Sequence, residues 1–584
     1  MIATDKASRL THWLQVVCTR PRTAVLFLVL LHGMLIHRLL VPPFYMINMV
    51  DSVGYINSGR TLISGLAERS PHLPSFAANP LVAFFYALIY IPFHKSLHWV
   101  IFSEWTGRAL MFIGIWVTIY LVAREWRPRV PVFLALGLLV ASPVFQPLLY
   151  EGPYGLFAIV SGLAFWQVLG FNRTGRLRHA ALAGVLVGAS PLIRGDGLTL
   201  MPLFLLCCAA IVARRNERSK PLAAVARTVL IGALPFLVIT GGYLFLDDYF
   251  QGRPLLLASA RSYSVFELAE GYVYSNDASA YELGITRARE LYGTPEENNY
   301  SILSAIARNP TAALSRMLVV AASFPLVLLK TFGGVLGLLV VGLAAVGVID
   351  MWQHRERFVL ALCALWLAYL GIYLVFYFQT YYLAMSYYIV LPMAAVGLQR
   401  VAQGVGRRIR GFSGSSPDTQ LAGLALGGFF AAVITASMAF NATQLPQLPD
   451  YESSGEAKSA EYLRDTLPRG ARVAAFAPAV VWMAKMHYVP MFLDIASFAE
   501  YSPFSLSTHE HLQRWLDETD TNAIYTDYLL EWFSPEEYAL FDRAVQDGLL
   551  REGFRYVDPD PHKTHILGAL GLDLRPLHRV LIRD

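Results

Sequence analysis

The chain has 584 residues, of which 55% are hydrophobic, 13% aromatic and only 15% charged, with a mean hydropathy of +0.45. Soluble domains carry about 25% charged residues, so the composition excludes an ordinary soluble fold and describes a polytopic membrane protein. The net charge of +5 is scattered over loops, the usual bias toward basic cytoplasmic segments, and implies no nucleic-acid partner.

In chain order, a basic flank (Lys6, Arg9, Arg20, Arg22) precedes an apolar run with no small-residue cleavage site after it, which reads as a retained first span. Further basic clusters at Arg124/Arg127/Arg129, Arg173/Arg176/Arg178, Arg214/Arg215/Arg218/Lys220, Arg355/Arg357 and Arg400/Arg407/Arg408/Arg410 mark cytoplasmic loops. Spans are then predicted at 22–43, 104–123, 130–149, 153–171, 180–194, 197–213, 222–245, 331–350, 358–377, 381–399 and 419–440. These eleven place the N-terminus inside and the C-terminus outside an inner (plasma) membrane. Two further apolar stretches, 80–94 and 311–330, would break the charge rule as spans and are predicted to lie along the membrane surface.

A transmembrane domain, 1–440, thus carries external loops 44–103 and 246–310. The second loop holds nine acidic residues, all between Asp247 and Glu297, against five arginines. From 441 to 584 the composition changes: β-like runs (Arg472–Phe476, Asn522–Tyr525, Val580–Ile582) alternate with polar helix-like stretches such as Ser534–Leu550. This predicts an extracytoplasmic α/β domain. The four cysteines (Cys18, Cys207, Cys208, Cys363) show no metal spacing and read as buried structural residues.

The candidate chemistry gathers at one face. Asp51, just beyond the first span, is a candidate general base for a hydroxyl nucleophile; the plainer reading is a solvated acid at a membrane exit. Glu151, in the short turn Tyr150-Glu151-Gly152-Pro153-Tyr154, is either a second catalytic carboxylate, a metal ligand or a hydrogen-bonded turn residue. If a divalent cation is used, Asp51 and Glu151 are the candidate ligands.

Arg194 and Asp196 fall in a glycine-bearing turn between two spans, where an arginine can hold a phosphate through paired donors or form a local ion pair with the aspartate. Arg60, His72, Lys95 and Arg108 are further cations of this face, each a phosphate candidate or a surface or snorkelling residue. Tyr373, Tyr377, Tyr381, Tyr382, Tyr387 and Tyr388 crowd the last external turn. Most read as an interfacial belt, and some, with Gln379, as binding residues for sugar or phosphate.

The order of these motifs resembles the GT-C glycosyltransferases, the class of protein O-mannosyltransferases and the lipid A aminoarabinose transferase. The resemblance runs over roughly 20–400. It comprises Asp51 with Tyr55, the Asn79-Pro80 helix of the first loop, Gly107-Arg108, Glu151, and Gln379-Thr380-Tyr381-Tyr382 leading to Leu391-Pro392. Ser52 stands where members often carry a second acid, and Glu151 where Asp is common, so no metal is required by the match. The resemblance implies an all-α polytopic GT-C-like fold and a polyprenyl-phosphate-linked sugar donor. Asp51 would then be the base, with Arg194, Arg108 or Arg60 on phosphate and a lipid, glycan or protein acceptor. A transporter or flippase is the rival reading. It fits less well, because the polar residues lie at one face and no repeat appears. A non-catalytic glycan-binding scaffold is a third.

Overall fold

The computed structural model describes residues 55–56, 58–63, 79–96, 99–126, 152–215, 221–251, 254–274, 279–332, 335–379, 382–383, 385–413, 455–475, 479–490, 508–526, 535–557 and 577–583. The expected spans at 22–43, 130–149 and 419–440 lie outside these residues, as do Asp51, Glu151, His72 and Tyr381.

Apolar sequence that cannot alternate in and out of a core becomes helix. Among the described residues six helices are long and apolar enough to cross a membrane, beginning at Phe102, Pro153, Gly195, Leu222, Pro310 and Arg357. The chain is an integral membrane protein. The helix Pro221–Phe236 continues through a π turn, Leu237–Gly241, into Gly242–Gln251, with Pro235 just before the break. Proline removes a backbone donor there, and the Thr240 hydroxyl bonds instead to the Gly188 carbonyl at 2.7 Å. This helix turns Leu230, Leu234, Val238 and Phe245 outward, a face suited to lipid.

Close helix contacts in lipid depend on small residues, because no hydrophobic drive separates helix from solvent there. The helices Val335–Gln353 and Tyr387–Ser413 meet at Gly347 and Gly397. A Cβ on Gly347 would stand 2.0 Å from the Met393 carbonyl oxygen, and one on Gly397 1.8 Å from that of Leu343. In the Gly107-Arg108 motif the glycine leaves room for Tyr86, seating the first-loop helix Pro80–Tyr90 on Trp99–Trp126.

Three buried groups tie the bundle centre together. The Trp366 indole donates to the Tyr388 hydroxyl at 3.0 Å, and that hydroxyl donates to Ser161 Oγ at 3.2 Å. Tyr387 donates to the Thr331 carbonyl at 2.8 Å. The belt expected from the sequence is therefore corrected at Tyr373, Tyr382, Tyr387 and Tyr388, all of which are buried. The hydroxyls of Tyr387 and Tyr388 find their partners within the protein, so these tyrosines serve as large core residues with a satisfied polar end. Cys207, Cys208 and Cys363 are buried and free.

The helix Pro310–Thr331 begins at an Asn309 cap, whose side chain accepts from the Ala312 amide at 3.1 Å. Its length alone would allow it to span. Arg316 donates to the Val375 carbonyl, the Phe324 and Phe378 rings lie tilted at 5.0 Å, and the Tyr387 hydroxyl donates to the Thr331 carbonyl.

The C-terminal residues form a five-stranded sheet in the order β2-β1-β3-β5-β4. β1 (Arg472–Ala475) pairs in parallel with β2 (His487–Pro490) and β3 (Ala523–Thr526), while β5 (Leu577–Arg583) runs antiparallel to β3 and to β4 (Leu550–Val557). Trp515 and Leu516 from His509–Thr519 and Phe541 from Pro535–Gln546 cover one face. Residues of β1 and the helix Gly455–Thr466 join the main core.

Candidate active site

The site is built on the turn between Leu177–Ala189 and Leu200–Arg215. Two short 3-10 turns, Ser190–Leu192 and Gly195–Thr199, bring the chain back on itself. A Cβ on Gly197 would lie 2.5 Å from the Ser190 carbonyl carbon, so only glycine allows this approach. The Ser190 hydroxyl stays close to both arms, 2.7 Å from the Val187 carbonyl and 3.2 Å from that of Gly197.

This turn presents Arg194 and Asp196 to a cavity of about 450 Å³. Arg194 donates from Nε to both Asp196 oxygens at 3.0 and 3.2 Å, and from Nη2 to Oδ2 at 3.0 Å. Its guanidinium carbon lies 4.7 Å from the Tyr154 ring centre and 5.2 Å from that of Tyr382. Tyr373 stacks on Tyr382 at 4.4 Å and 2° and donates its hydroxyl to Asp196 Oδ2 at 2.5 Å. The side chains of Arg194 and Asp196 are 14% and 11% exposed, which strengthens their attraction relative to a surface pair.

Of the two alternatives the sequence left open, the structure shows the local ion pair. Arg194 forms the local ion pair, yet only its Nε–Nη2 edge is used, and no described residue takes Nη1. A stacked, half-committed guanidinium of this kind retains a donor for a phosphate oxygen.

The rest of the wall comes from three other segments. Tyr55 and Asn79 contribute from the first loop, Asn79 Nδ2 donating to the Tyr55 hydroxyl at 2.7 Å. Ser262, Val265, Ile302, Leu303 and Ile306 come from the second loop, and Ile372, Val375 and Phe376 from the turn before Tyr382. The lining thus combines polar and aromatic residues with aliphatic ones, which suits an amphiphile. Residues of both long loops, 44–103 and 246–310, line the cavity; the C-terminal sheet supplies none of its described lining residues.

Other predicted site residues sit elsewhere. Arg108 is buried against Glu104, one helical turn earlier, with Nη2 to Oε1 at 2.5 Å, and is not a surface or snorkelling cation. Burial without that partner would leave the charge uncompensated, which explains the pairing. Arg60 stacks 5.1 Å over the Trp99 ring, beside Tyr488 of β2. Burial pushes the Tyr488 hydroxyl pKa up, and the nearby Arg60 charge opposes the shift. Lys95 is exposed, and Gln379 is half-buried without lining the cavity. Among the described residues no group of three or more His, Cys, Asp or Glu side chains is placed to hold a metal.

The second-loop wall was absent from the sequence reading. Val265, Ile302 and Ile306 are ordinary apolar residues of two helices, and only their clustering within an otherwise acidic loop hints at a packed surface.

Solved structures to which this chain is similar include an archaeal oligosaccharyltransferase and ArnT. Archaeal oligosaccharyltransferase AglB from Archaeoglobus fulgidus, in complex with an inhibitory peptide and a dolichol-phosphate, matches at 13% identity, over 92% of this chain and 73% of that one, with a TM-score of 0.44. ArnT from Cupriavidus metallidurans, bound to undecaprenyl phosphate, matches at 12% identity over 91% of this chain and 93% of that one, with a TM-score of 0.48. No family model matches the sequence, and no curated protein does.

Proposed function

We propose that the protein is an inverting glycosyltransferase that moves a sugar from a polyprenyl-phosphate-linked donor to a cell-envelope glycolipid, polysaccharide or protein at the outer face of the inner membrane. The observation that carries this reading is the mixed lining of the cavity, in which Arg194 lies over the Tyr154 and Tyr382 rings and aliphatic residues of the second loop share the wall. An arginine stacked on aromatic rings suits a phosphate, tyrosine faces suit a sugar ring, and the aliphatic side suits the start of a prenyl chain.

In this mechanism Asp51 takes the proton from the acceptor hydroxyl as its oxygen attacks the anomeric carbon from the face opposite the phosphate. The bond from that carbon to the phosphate oxygen breaks, and the electron pair leaves on polyprenyl phosphate. Arg194 stabilises the charge that develops there. Chain connectivity supports the assignment. Asp51 lies four positions before Tyr55 and Glu151 two before Pro153, and Tyr55 and Pro153 both line the cavity. A divalent cation between these carboxylates is compatible with the scheme but not required by it.

The test is release of polyprenyl phosphate from a panel of polyprenyl-phosphate sugars by the purified full-length protein in lipid discs. Transfer is expected for at least one donor and should fall about 10²–10⁴-fold in Asp51→Asn. Wild-type turnover in the folded variant would remove Asp51 as the base.

A further inference from the structure

The second external loop is a small helical unit with its own core, formed by Tyr263, Phe266, Ala288, Tyr292, Ala305 and Ala313. At its centre is Arg316, among the largest fully buried side chains described. It comes from Pro310–Thr331 and makes contacts in two directions. Nη1 donates to the Phe266 carbonyl and to Glu270 Oε2, each at 3.2 Å, on the helix Pro254–Tyr274. Nη2 donates at 2.7 Å to the carbonyl of Val375, on the membrane bundle. The guanidinium lies 4.0 Å over the Phe266 ring and 5.4 Å over Tyr292.

The residues at the ends of these bonds adjoin the cavity from two sides. Val375 itself lines it, and Val265 precedes Phe266. Arg194, Tyr373 and Tyr382 line the same cavity. A buried ion pair is an expensive way to hold a core together, and apolar replacement often leaves stability unchanged. What an apolar side chain cannot reproduce is a directed bond to two carbonyls on separate elements.

We infer that Arg316 is a positioning residue, fixing the second-loop wall against the 375–376 turn so that the cavity keeps the width its ligand needs. For the identity of that ligand the inference rests on the proposed function. Loss of the strut lets the aliphatic wall drift from the Arg194 side, weakening donor binding while the bond-breaking groups stay in place.

The experiment uses the full-length protein in lipid discs, with its four cysteines replaced and nitroxide labels at Glu290 and Leu198, both exposed and neither lining the cavity. Arg316→Met should broaden the label-to-label distance distribution and raise the donor KM about tenfold or more. Its kcat should stay within about threefold of wild type. Arg316→Lys, which keeps the charge but cannot reach both carbonyls at once, should recover part of each effect. Should Arg316→Met fail to fold, Arg316→Lys and Glu270→Gln carry the same readouts. An unchanged distance distribution overturns the proposal, as does a broadened one with donor KM unaltered. If no donor is turned over by the wild type, the proposed function fails, and the distance measurement still decides the strut.

Discussion

Arg194→Ala separates a phosphate-binding arginine from one that merely shapes its turn. The substitution removes three hydrogen bonds from the Asp196 carboxylate and leaves it, among the described side chains, with the Tyr373 hydroxyl. Breaking a fully buried pair costs about 3–5 kcal/mol. Asp196 keeps Tyr373 and is 11% exposed, so about 2–3 kcal/mol is expected. Loss of the two ring contacts adds about 1 kcal/mol. Removing a charge-assisted contact to the donor should separately weaken binding by about 1.5–3 kcal/mol, or about 10–100-fold.

The double variant Arg194→Ala/Asp196→Ala distinguishes the two effects. It leaves no orphaned carboxylate, so much of the lost stability should return, while the affinity should not. Thermal unfolding in detergent and titration with a polyprenyl monophosphate on wild type and both variants supply the numbers. Unchanged affinity in folded Arg194→Ala, or affinity that recovers together with stability in the double variant, would refute the phosphate role.

Reporter fusions after Arg178 and Arg410 should read cytoplasmic, and those after Ser275 and Asp584 external; a cytoplasmic signal at Asp584 would end the eleven-span scheme. Gly397→Leu has no room beside the Leu343 carbonyl and should destabilise the protein by at least about 1–3 kcal/mol, measured as loss of folded protein on detergent chromatography. In the second loop, burial raises the Glu267 pKa above 4.5 against the opposing pull of Arg289. The folded state therefore binds this proton more tightly than the unfolded state, and stability falls as pH climbs from about 4.5 into the raised range. Glu267→Gln should lack that fall, so its melting temperature relative to wild type should rise with pH across the window; a difference independent of pH would contradict this.

The sequence alone determined what local chemistry can encode. Charge asymmetry and apolar run length were enough to mark most helices, because a helix in lipid must satisfy its own backbone. The bend at Gly197 was legible, since glycine there permits a close approach that a side chain would block. The runs 472–476, 522–525 and 580–582 marked the strands Arg472–Ala475 and Ala523–Thr526 and part of Leu577–Arg583, while His487–Pro490 and Leu550–Val557 were not visible. Both of the missed strands mix polar with apolar residues, and both lie at sheet edges, where one side needs no partner.

Pairing across long stretches of chain was decided only by tertiary structure. Arg194 finds its aspartate two residues away, but its stacking partners Tyr154 and Tyr382 are 40 and 188 positions distant. Nothing local separates these tyrosines from an interfacial belt. Arg108 looked like an open cation until Glu104 was seen to neutralise it inside the bundle, and Arg316 gave no signal at all. A charged side chain's role depends on which partner burial brings to it, and that partner is fixed by how the helices pack rather than by their sequence neighbours.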